Sequence, residues 1–143
     1  MSEPVTLLRR FGAIAYDAML VGGSILIIGG ILSTILAHLL GVDYLEPGSL
    51  AARLMTTVYF LMGFGFFGWF WTHGGQTLGM RAWKIRVVTY SGQPLDWQQA
   101  FFRYMAAIIS WLFLGAGFFA ALLDAERLTW HDRFSRTRLI RVD

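Results

Sequence analysis

The chain contains no cysteine, which removes disulfides, a thiolate nucleophile, iron–sulfur clusters and cysteine-ligated zinc. It is also poor in charge: Asp, Glu, Lys and Arg make up 15% of its 143 residues, where a soluble domain carries about 25%. That shortage excludes an ordinary soluble domain, and an aromatic content of 16% excludes a disordered chain. No serine-hydrolase elbow, HExxH pattern or close carboxylate pair is present, so no enzymatic chemistry is expected. The histidines, His38, His73 and His131, fall on three separate segments, and no metal site is expected from them. Gly74 to Gly79 has the GxxxxG spacing of a phosphate loop, but Met80 and Arg81 follow where Lys and Ser/Thr are needed. Those glycines read instead as the end of a helix, and no cofactor is expected. There are no tandem repeats or low-complexity tracts.

What the chain has in abundance is apolar length. Ala18 to Leu40, Leu54 to Thr72 and Tyr104 to Leu123 are runs of 23, 19 and 20 residues without a charged side chain. Each reaches the roughly 20 residues that cross a bilayer as a helix. Hydrophobic residues total 56% and the mean hydropathy is +0.54, so the expected class is an all-α polytopic membrane protein, residues 1–143 forming one transmembrane domain. The net charge of +3 and pI near 9.7 arise from basic residues flanking the apolar runs, which points to membrane lipid rather than nucleic acid as their partner. The first run is longer than a signal-peptide core and is expected to stay in the mature protein.

Positive charge sets the expected topology. Arg9, Arg10, Arg81, Lys84 and Arg86 place the N-terminus and the second connection inside, with Asp43 and Glu46 outside. Three plain crossings would leave Arg127, Arg133, Arg136, Arg138 and Arg141 outside, against the rule. Gly115 and Gly117 interrupt the third run, so it is either a hairpin, with helices from about Trp97 to Phe113 and from Phe118, or a third span. The hairpin is preferred. Residues 84–89 and 137–142 alternate and are β-branched, as two strands of a small sheet in an inner polar cap would be.

A few polar residues stand out against this background. Asp17 lies two helical turns past Arg10, where a buried charge costs at least about 2.5–3.5 kcal/mol. It marks an ion or proton path, or it pairs with a buried cation; Arg103, six residues past Trp97 in the third helical segment and at a similar depth, is the expected partner. Arg9 and Arg10 read as anchors at the headgroups. Thr129 and Asp132 fit a capping box, and His131 beside Asp132 offers an alternative proton relay. Ala18, Gly22, Gly29, Ser33 and Ala37 recur near one face of the first helix. They pack either against the aromatic second helix or against a second copy, a homodimer being the expected working unit.

Taken in order, Arg10-x-x-Ala13-x-x-x-Asp17, Gly75-Gln76-Thr77-Leu78-Gly79-Met80-Arg81, Ile85-Arg86-Val87-Val88, Gly92, Arg103 and Trp130-His131-Asp132-Arg133 with Thr137 resemble the RDD family of small prokaryotic membrane proteins. The family's arginine and two aspartates fall on Arg10, Asp17 and Asp132. Met80, where the family often has Lys, and Arg136, where a small residue is common, depart from its pattern without touching that trio. The resemblance implies a multi-pass protein of the cell (inner) membrane with a cytoplasmic N-terminus. It also implies transport, of a ligand the family does not fix or, as described for some members, as monovalent cation/proton exchange; the alternative is a non-catalytic regulatory or scaffold subunit that binds another membrane protein.

Overall fold

A computed structural model describes residues 5–142. Its elements run α1 (Leu7–Ser24), a π-helical turn (Ile25–Gly29), α2 (Gly30–Leu39), α3 (Leu50–Thr72), α4 (Leu78–Ala82), β1 (Ile85–Thr89), α5 (Trp97–Leu112), α6 (Ala116–Leu123), α7 (Trp130–Phe134) and β2 (Thr137–Arg141). Leu7–Leu39 is one continuous 33-residue helix, and with Leu50–Thr72 it is long and apolar enough to span a membrane. At 1.5 Å per residue the first helix reaches about 50 Å, well past a ~30 Å hydrocarbon core. The π turn inside it has no signal in the sequence.

The chain divides into two compact units. One comprises Ala18–Phe66, and there Gly29 and Ser33 serve the protomer's own packing. A Cβ on Gly29 would lie 2.6 Å from the Tyr59 ring. The Tyr59 hydroxyl shares a 2.5 Å hydrogen bond with Ser33 Oγ and donates a longer one, 3.4 Å, to the Gly29 carbonyl. A Cβ on Gly22, by contrast, would meet nothing within 4 Å. The small-residue stripe is therefore two features, one facing α3 and one uncovered.

The other unit holds the start of α1 and everything from Phe67 onward. Its core is Val5, Ala13, Trp71, Met80, Ile85, Val87, Leu95 and Ala100. β1 and β2 pair antiparallel, Ile85 opposite Arg141 and Thr89 opposite Thr137. Two hydrogen-bonded polar strands must lie on one side of a bilayer, because unpaired backbone cannot be left in hydrocarbon. The segment between them therefore returns to the side it left. It does so through α5 and α6, which meet at a 98° bend. Leu114 (φ 56°) and Gly115 (φ 78°) make the corner in left-handed conformation, the glycine at little steric cost. Gly117 does not break the helix, as the sequence had led us to expect. It lies inside α6, where the missing Cβ admits Ser110 Oγ (2.5 Å from that position) and the Trp130 ring (3.0 Å).

A repeat that the sequence reading missed is also visible. Thr77 and Thr129 each cap a five-residue helix, accepting the N–H of Met80 and of Asp132. Seven residues after each cap a basic residue, Lys84 or Arg136, adopts φ 53°, and a five-residue strand follows. The two strands then pair with each other. Arg81 matches Arg133 and Arg86 matches Arg138, so a weak T-x-x-x-R-x-x-K/R-x-R pattern underlies both copies.

The strand pairing gives a topological prediction. A reporter fused after Asp143 and one inserted at Ser91-Gly92 should be active in the same compartment. Activity on opposite sides would contradict the β1–β2 sheet.

Candidate functional site

The start of α1 presents Arg10, Ala13 and Asp17 on one buried face, and α5 presents Ala100, Arg103 and Ser110 on another. Spacings of three and seven residues keep such side chains on one side of a helix. Asp132 meets both faces from the first turn of α7, positioned by a two-way capping box: its Oδ2 accepts the Thr129 N–H at 3.0 Å while Thr129 Oγ1 accepts the Asp132 N–H at 3.3 Å. Arg10 Nη1 donates to Asp132 Oδ2 at 2.7 Å and Arg103 Nη1 to Oδ1 at 2.6 Å. Arg10 Nη2 continues to the Arg127 carbonyl (2.8 Å), and Arg103 Nη1 also reaches Thr137 Oγ1 (2.8 Å), the first residue of β2. One fully buried carboxylate thus ties α1, α5, α7 and β2 together.

Asp17 does not pair with Arg103, which corrects the expectation from matching depth. Its oxygens accept the Thr77 hydroxyl and the Gly79 N–H (2.8 Å). The reason is local. The first four N–H groups of any helix lack intrahelical partners, and in α4 the Met80 N–H is met by its own cap, Thr77 Oγ1, and the Gly79 N–H by Asp17 of α1. Gly79 makes the approach possible, since a Cβ there would lie 2.9 Å from the Asp17 carboxyl. Arg10 is likewise no headgroup anchor; it is 4% exposed and committed to Asp132. Arg9 hydrogen-bonds the Trp83 carbonyl at 2.9 Å.

The electrostatics around α7 follow from burial and the two arginines. Burial disfavours the Asp132 carboxylate, but Arg103 and Arg10 more than offset it, holding its pKa below the usual carboxylate range. His131 is buried against Phe118, ring centroids 4.6 Å apart. Burial first, then the charge of Arg103, lowers its pKa to about 3. The relay expectation rested on a histidine that charges near neutrality, and His131, buried and held neutral through that range, does not meet it.

Sequence reasoning missed Thr77 and Gly79 as the Asp17 cradle, Thr137 as the second acceptor for Arg103, and Trp71, whose ring lies 5.3 Å from the Arg103 guanidinium carbon. The Thr77/Thr129 pattern was the available signal for the first. Among the described residues no group of three or more His, Asp or Glu side chains is arranged to hold a metal ion.

Two membrane-length helices, a bent apolar helix pair and a small two-strand cap built on buried Arg–Asp contacts define a compact class of helical membrane protein. The chain belongs to the RDD family, whose model matches residues 4–136. No curated protein and no solved structure matches it significantly.

Two predictions follow from these contacts. In thermal unfolding in detergent, Asp132→Asn should cost about 3–5 kcal/mol, because it leaves two buried guanidinium groups uncompensated. Asp17→Asn and Thr77→Val should each cost about 1–3 kcal/mol and be non-additive with each other, while Asp17→Asn and Arg103→Gln should add. Strong coupling of Asp17 to Arg103 would restore the discarded pairing. Acid should also destabilise the fold. His131 binds its proton near pH 6.5 when unfolded and only near 3 when folded, so the unfolded state holds more protons between those values and stability falls as pH drops below 6.5. The slope approaches about 1.4 kcal/mol per pH unit and should flatten in His131→Gln; an identical slope in the variant would exclude His131 as the source.

Proposed function

We propose that this chain is a non-catalytic membrane module, a scaffold or regulatory subunit whose polar residues build a rigid cap. The observation that supports this best is that both buried acids are engaged from within: Asp132 by Arg10 and Arg103, and Asp17 by Thr77 and Gly79, all groups of the same chain. The surface left for a partner, a second copy or another membrane protein, is the face of α1 around Ala18 and Gly22, where an added Cβ on Gly22 meets nothing. By the positive-inside rule, the concentration of basic residues in the cap supports an N-terminus and tail on the cytoplasmic side of the inner membrane.

A second reading, monovalent cation/proton exchange, is favoured by one fact. Asp17 faces a hydroxyl and a backbone N–H but, among the described residues, no paired cation, as an exchanging carboxylate requires. One experiment separates the two. Liposomes containing the purified protein should show no sodium-driven pH change if it is a scaffold. A pH change that Asp17→Asn abolishes would overturn the scaffold reading and establish exchange. Mass measurement in mild detergent tests the partner surface: Gly22→Leu should convert a dimer to monomer, whereas Gly29→Leu should damage the protomer through Tyr59. An unaltered dimer in Gly22→Leu would remove that face from the account.

A further inference from the structure

Two guanidinium groups share one carboxylate in the cap, so the cluster carries one positive charge too many. Arg10, Arg103 and Asp132 are 4%, 2% and 0% exposed, and among the described residues no second carboxylate bonds either arginine. Among the described acids of this unit, Asp17 is committed to Thr77 and Gly79, and Asp124 to Arg133. A buried charge without a counter-charge is strongly disfavoured.

Hydrogen bonding gives the same answer independently. Arg10 Nε, Arg103 Nε and the indole Nε1 of Trp71 are buried without an acceptor among the described residues. The Trp71 ring lies beside the Arg103 guanidinium at 5.3 Å, and the two guanidiniums meet on the two oxygens of Asp132. These three are N–H donors and cannot satisfy one another; the other two buried unpartnered atoms among the described residues are Ser110 Oγ and His131 Nδ1. Native structures rarely leave such groups unmet. Water could accept from them, but it would add donors of its own and leave the charge uncancelled. What cancels the charge and accepts the N–H groups together is an anion, and the near-complete burial of the donors calls for a small one.

We propose that the Arg10–Arg103–Asp132 cluster binds a small monovalent anion, chloride by abundance, with Arg10 Nε, Arg103 Nε and Trp71 Nε1 as the donors available to it. The ion would reinforce the junction of α1 with α5, joining groups from α1, α3 and α5. This holds whether the module is a scaffold or an exchanger, since neither reading uses an anion.

The test is thermal unfolding of the full-length protein in detergent, with sodium chloride replacing sodium gluconate at constant sodium and ionic strength. A ligand that binds only the folded state raises stability with its concentration relative to Kd. Melting temperature should rise saturably with chloride, and with bromide in its place. Arg103→Gln makes the cluster neutral and should abolish the rise. Trp71→Phe keeps a ring beside Arg103 while deleting one donor; it should raise the half-saturating chloride concentration several-fold, and it serves alone if Arg103→Gln does not fold. Coincident wild-type curves in chloride and gluconate would overturn the proposal. So would an unchanged half-saturation in Trp71→Phe, or stabilisation by inorganic phosphate but not by chloride, which would indicate a headgroup-like site instead.

Discussion

The Asp132 carboxylate is the point on which the polar half of the molecule turns. It is fully buried, it closes the capping box that starts α7, and it receives Arg10 from the first helix and Arg103 from the bent pair. Charge-assisted hydrogen bonds of this kind are about twice as strong as neutral ones, and an isolated buried carboxylate is prohibitively costly, so each partner is as necessary to Asp132 as it is to them. The constraint explains why a chain with few charges places three of them where water does not reach. Asp17 and Arg9 fasten the start of α1 to the segment around α4, and β1 holds β2, but it is through Asp132 that the bent pair gains charged contacts to both, and apolar contact alone is weakly directional.

The other polar contacts repeat this logic on a smaller scale. Asp17 completes the N-terminus of α4 as Asp132 completes that of α7, but from a different element and with neutral donors. The two Thr-capped helix–strand units are thereby held by acids, each fastened to one of the long helices of the chain. Glycines at 79 and 117 supply room for these approaches, the first for the Asp17 carboxyl and the second for Ser110. In the unit Ala18–Phe66 the same economy uses Gly29 to seat Tyr59.

Much of the fold was legible because hydrophobic length and charge asymmetry act along the chain. The two spans, the corner at Gly115, the capping box at Thr129 and the two strands could all be read from runs, spacing and alternation. What could not be read depends on direction around a helix axis. Depth alone made Arg103 the partner of Asp17. Their azimuths, set by packing, gave Arg103 to Asp132 and Asp17 to α4. Arg10 looked like a headgroup anchor because a basic residue at a helix start has that role by default, and only the return of α7 to the same place buries it. The repeat went unseen because just a Thr, two Arg and a basic residue are shared, too few to register until the matching φ values of Lys84 and Arg136 are set side by side.

The claim that Asp132 organises the cap is tested most directly by hydrogen exchange in Asp132→Asn, measured segment by segment in detergent or nanodiscs. The account requires amide protection to fall together in the first turns of α1, around Arg103 in α5, and along β2, with the outer part of α3 unchanged. A loss of protection confined to α7 would mean that the two ion pairs decorate a cap that other forces hold together.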